Sequence, residues 1–63
     1  MNEYDIKRYA LICAVNAEIE AMKVLNKERD SNDMALAYDD GAFFQKAEEL
    51  KDLAYMHNEQ LTG

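Results

Sequence analysis

The stretch from Phe43 to Leu61, FFQKAEELKDLAYMHNEQL, decides the fold. Within it Phe43, Ala47, Leu50, Ala54, His57 and Leu61 recur at alternating spacings of four and three residues, one narrow apolar stripe of an α-helix. Nothing in the chain alternates with period two over a useful length, which argues against strands. Just upstream, Asp39-Asp40-Gly41 reads as a turn followed by a helix start. The spacing therefore predicts a second helix over about 42–61. A start near Asp33 would carry the helix through Gly41 at a cost of about 1 kcal/mol, so a break is preferred.

The first half reads as a longer helix, over about 3–29. Asn2 is a good N-cap, and Glu3 and Asp5 put negative charge in the first turn, where the helix dipole favours it. Lys27 and Arg29 suit a helix C-terminus, and Asp30-Ser31-Asn32-Asp33 then breaks the pattern by competing for backbone hydrogen bonds. The connector from 33 to 38 reads either as a short helical turn or as an ordered link. The expected fold is all-α: a two-helix hairpin forming a single helical domain over 1–63.

The long helix is apolar on more than one side. One stripe carries Arg8, Ile12, Val15, Ile19, Met22, Asn26 and Arg29; a second carries Ile6, Ala10, Cys13, Ala17 and Val24; a third carries Leu11, Ala14, Met22 and Leu25. Asn16, Glu20, Lys23 and Lys27 form a polar strip toward water. The second helix covers only one apolar face. The remainder predicts a symmetric helical homo-oligomer, with an interface expected to include Ile12, Val15, Ile19, Met22, Phe43, Leu50 and His57. Small residues at Ala10, Ala14, Ala17 and Ala21 permit close helix approach.

Size points the same way. A chain of 63 residues has little room for a core, and small domains usually add disulfides, a metal or partner chains. The single Cys13 excludes an internal disulfide, and no Cys/His cluster offers a structural zinc site. Cys13, among apolar neighbours, is expected to be a small buried hydrophobe. One cysteine and no basic leader at the start predict a cytoplasmic protein. The apolar run from Tyr9 to Val15 is far too short for a membrane span, so no membrane partner is expected.

The net charge of −6 is uneven. Residues 1–30 hold five Lys/Arg against six Asp/Glu, whereas residues 31–63 hold two against seven. This excludes general nucleic-acid binding, which needs a basic footprint, and leaves open a local basic pocket or an acidic face for a basic partner. There is no Gly-rich phosphate loop, no Ser/His/Asp set and no histidine pair for a metal, so neither an enzyme nor a cofactor is expected. His57, on the apolar stripe, reads as a core-edge or interface histidine, with a pH-dependent contact between chains as the sharper alternative. Glu48, Asp52, Tyr55 and Glu59 form a second stripe on the second helix, read as a solvated face or as a sparse mimic of a phosphate backbone.

Polar groups near the exit of the first helix stand out. Asn26 and Arg29 lie one turn apart on an otherwise apolar stripe, and Tyr38 follows in the connector. Their structural task is to hold connector backbone and pin the hairpin. Their functional task is anion or nucleotide binding, with Arg29 on a phosphate and Tyr38 stacked on a base; Arg8 and Lys7 join that set if helices pack antiparallel between subunits.

The run Ile19-Glu20-Ala21-Met22-Lys23, then Asn26, Arg29, Ala37-Tyr38, Phe43-Phe44 and Ala47 to Ala54, resembles small all-helical proteins encoded by bacteriophages, of the host-takeover or counter-defence type. The resemblance implies a non-enzymatic protein in the host cytoplasm. It implies either an oligomeric sponge that sequesters a cyclic nucleotide immune signal, or an inhibitor or adaptor that binds a host defence protein through an acidic or apolar helix face. The acidic balance departs from what a sponge needs, unless the few cations gather at subunit boundaries.

Overall fold

The computed structural model describes residues 2–61, and they form two helices and a closing turn: α1 over Glu3–Ser31, α2 over Asp40–Tyr55, and a 3-10 turn over Asn58–Leu61. α1 begins as its sequence dictates. Asn2 is extended, and its side-chain oxygen accepts the N–H of Asp5 at 2.9 Å, satisfying one of the orphan donors of the first turn.

α1 runs two residues past the expected end and closes in a Schellman arrangement. The N–H of Met34 donates to Arg29 O at 2.8 Å and that of Asp33 to Asp30 O at 3.2 Å. This closure needs a left-handed residue just past the cap, and Asp33 supplies it at φ 55°. Aspartate tolerates that conformation better than most side chains. The chain thereby reverses, and the helical turn considered for 33–38 does not form: these residues bend or run extended. α2 starts at Asp40 behind the N-cap Asp39, whose carboxylate accepts the N–H of Ala42 at 3.0 Å. A Cβ on Gly41 would sit 3.2 Å from that capping oxygen, so the glycine leaves the cap its room.

The helices run antiparallel, since Asn26 meets Tyr38, Glu18 meets Lys46, and Arg8 meets the end of α2. The α1 stripe of Arg8, Ile12, Val15, Ile19, Met22, Asn26 and Arg29 turns inward as a unit, half-buried or buried throughout. The Cys13 expectation fails: its thiol is exposed, because Cys13 lies on the opposite side of α1 from that stripe.

On α2 the inward face differs from the expected one. Ala47, Ala54 and His57 are exposed, while Lys46, Leu50, Leu53 and Met56 face α1 with Phe43. Two causes account for the rotation. Leu53 buries more apolar surface than Ala54 can. Lys46 lies with its stem against α1 and its ammonium at the rim, so it reads as polar in sequence yet packs as an apolar residue. α2 also stops at Tyr55 instead of continuing to Leu61. Met56 turns extended, and the 3-10 turn folds Leu61 back onto α1, where it is only 3 % exposed. Met22, Leu53 and Leu61 are the buried core of the described residues.

Candidate functional site

Three regions of the hairpin carry chemistry: its connector end, its open end and its outer surface. At the connector end, Asn26 projects from α1 toward residues 32–39. Its Nδ2 donates to Tyr38 O at 2.9 Å, and its Oδ1 accepts the N–H of Tyr38 at 3.0 Å. Both halves of the amide are thus committed to holding the connector. Arg29, one turn further on, is half-buried, and its carbonyl takes the N–H groups of Asn32 and Met34. No ion pair among the described residues includes its guanidinium. Beside the connector lies an open groove of about 400 Å³, walled by Tyr38, Met22, Leu25, Ala42 and Gln45. Lys46 closes one side, its ammonium gripped by Glu18 and, at 3.2 Å, by Glu49. Those carboxylates hold the Lys46 pKa above its ordinary value of 10.5, the Glu18 hydrogen bond contributing most. The groove's cation is therefore already neutralised.

At the open end Arg8 serves α2. Its Nε donates to Leu53 O at 2.9 Å, and its Nη2 to Met56 O at 2.6 Å and to Asn58 Oδ1 at 3.2 Å. Asp5 balances it at 3.5 Å. A helix C-terminus presents unpaired carbonyls and partial negative charge, and the planar guanidinium answers both. Lys7 lies beside a shallow depression with Glu3, Tyr4 and Leu61. The five sequence-predicted ligand residues thus form two groups. Arg8 and Lys7 lie at one end of α1, and Asn26, Arg29 and Tyr38 at the other, about 30 Å away along the helix axis.

The outer surface was less legible from sequence. Phe44 is 70 % exposed and Tyr55 85 % exposed, and both lie on the side of α2 opposite the packed face, with Glu48, Lys51 and Asp52 between them. The polar stripe of Glu48, Asp52 and Tyr55 marks this face in the sequence, but Phe44 belongs to it and was hidden by its neighbour Phe43. On the other side of the hairpin, Ile6, Tyr9 and Val24 stand exposed on α1. Of the residues expected at an oligomer interface, Ile12, Val15, Ile19, Met22, Phe43 and Leu50 lie between α1 and α2 of the single chain, while His57 is exposed just past α2.

Among the described residues no helix is long and apolar enough to cross a membrane, and no group of His, Cys, Asp or Glu is arranged to hold a metal. Comparison with family models, curated proteins and solved structures finds no match to this chain.

Proposed function

We propose that this chain is a non-enzymatic binding protein, an inhibitor or adaptor that grips another protein through the outer face of α2. The pair Phe44 and Tyr55 carries this reading. Two aromatic side chains, three helical turns or about 16 Å apart on one exposed face, are the anchors a helix uses when it lies in a partner's groove. Among the described residues both side chains stand mostly in solvent. The charge around them favours a basic groove, because seven of the thirteen acidic residues lie in residues 31–63 against two lysines.

The test is in-cell crosslinking in the source organism with the native chain and with the double variant Phe44→Ala/Tyr55→Ala. Substitutions at such exposed positions shift stability by only about 0.5 kcal/mol, so helicity should survive. One protein recovered stoichiometrically with the native chain and lost with the variant is the expected result. Equal recovery with both would sink the reading.

A second reading, sequestration of a cyclic nucleotide, keeps one supporting observation: Tyr38 walls a groove of nucleotide size at the end of the hairpin where α1 carries Arg29. Arg8 and Asn26 already have backbone partners and Lys7 lies at the far end of α1, which leaves Arg29 as the cation to test beside Tyr38. Calorimetry against cyclic di- and trinucleotides should then give heat that Arg29→Ala abolishes. Silence across the panel removes this reading.

A further inference from the structure

The back of α1 faces away from α2 and stands exposed among the described residues. Ile6, Ala10, Cys13, Ala17 and Val24 succeed one another along it, all exposed, with Ile6 and Val24 each 56 % exposed. Four of the five residues pair across the level of Val15, while Ala10 is mirrored by Glu20 at the edge of the row. Ile6 mirrors Val24 and Cys13 mirrors Ala17, so larger side chains stand at both ends and small ones in the middle. A two-fold symmetric contact asks for this, because each residue meets the one mirrored across the axis.

We propose that α1 pairs back to back and antiparallel with α1 of a second copy, with the two-fold axis level with Val15. The small central residues let the backbones approach closely, while Ile6 of each chain covers Val24 of the other. The inference is independent of the α2 reading, since it uses the opposite side of the hairpin.

The exposed area fits a second copy. A compact monomer of 7.3 kDa should expose about 4,200 Å², and this chain exposes 4979 Å². The excess of roughly 800 Å² is what one partner contributes to a standard stable interface. The shape agrees: the radius of gyration is 14.8 Å, against about 10.6 Å for a compact chain of this length.

Charge is compatible with the antiparallel direction. The antiparallel pair sets Asp5 of one chain level with the gap between Lys23 and Lys27 of the other, on the same edge of the contact. It also sets Tyr9, 64 % exposed, next to the other chain's Glu20, within reach of a hydroxyl-to-carboxylate hydrogen bond. On the other edge Glu3 approaches the second copy's Glu28, at helix ends open to water.

Sedimentation equilibrium on the native chain, together with the variants Ala17→Glu and Tyr55→Ala, tests the proposal. The native chain and Tyr55→Ala should be dimers at micromolar concentration. Ala17→Glu, which sets a carboxylate against the partner's Cys13, should weaken the dimer by about a hundredfold or more. Should Ala17→Glu lose its helicity, thiol mapping on Ala17→Cys decides alone. Under mild oxidation the native Cys13 should link to position 17 of the other chain. A native chain that stays monomeric, a dimer indifferent to Ala17→Glu in a helical protein, or links joining Cys13 to Cys13 would overturn the proposal. So would an oxidised Ala17→Cys chain that remains free of interchain links.

Discussion

The side chain of Asn26 pairs with the backbone of Tyr38 as one strand pairs with another, donating at 2.9 Å and accepting at 3.0 Å. This pair of hydrogen bonds converts a polar interruption on an apolar stripe into the hinge pin of the hairpin. Asn26→Ala removes both bonds and leaves two part-buried backbone groups unpaired, which should cost about 2–3 kcal/mol. That is a large share of the roughly 3–9 kcal/mol available to a domain of this length. Asn26→Asp keeps the acceptor but points a carboxylate at the Tyr38 carbonyl. Its carboxyl is favoured protonated in the fold, so this variant should regain stability as pH falls toward about 4 and below. Urea unfolding across pH reads both effects. A cost under about 0.5 kcal/mol for Asn26→Ala would mean that the connector is held by something else.

Arg8 joins residues far apart in sequence, since its guanidinium takes carbonyls of Leu53 and Met56 and the Asn58 side chain. Lysine carries the charge without the fork, so Arg8→Lys should still cost about 1–2 kcal/mol. The loss should be local. Hydrogen exchange should accelerate first over residues 53–61, with the Asn26 end of α1 unchanged. Uniform acceleration along both helices would show that Arg8 acts through global stability instead of as the stop of α2.

The fold was legible where capping and periodicity agreed. Asn2, Asp39 and the Asp39-Asp40-Gly41 signal set both helix starts, whereas the α1 stripe from Arg8 to Arg29, whose apolar members were expected between chains, turns inward within the single chain. Illegible was whatever one helix imposes on the other. The end of α2 is fixed by Arg8, more than forty positions upstream, so a local reading of residues 56–61 continues the helix. The packed face of α2 turns on Lys46, whose partner Glu18 lies on α1. The candidate site divides in the same way. The structural task of Asn26 could be read from its place on the stripe, whereas Phe44 and Tyr55 became a face only once the packed side of α2 was known.

Leu61 is 3 % exposed although it lies almost at the end of the described chain. It closes the end of the hairpin that Arg8 organises, seated by the 3-10 turn in which the N–H of Gln60 donates to His57 O at 2.9 Å. Leu61→Ala should cost about 2 kcal/mol, the lower end for buried leucines, because a terminal turn can settle into the space left behind. Thermal unfolding measures this. A loss below about 0.5 kcal/mol would show that the turn contributes little to the core.

Lys46 gives the alkaline limb of the stability curve. Its folded pKa is raised above 10.5 by Glu18 first and Glu49 second. A raised lysine contributes stability that is fully present below its unfolded pKa and fades as pH climbs through the folded one. Part of the stability should therefore be lost above pH 10.5. The comparison with Lys46→Met carries the test. The methionine keeps the packed stem and drops the ammonium, and its melting temperature should fall less steeply between pH 9 and pH 12 than that of the native chain. Both carboxylates are half-exposed, so salt screens the pairing, and the difference should shrink as ionic strength rises. Superimposable profiles at low salt would show that the ion pairs on Lys46 add nothing to the hairpin, and that its aliphatic stem alone holds the groove wall.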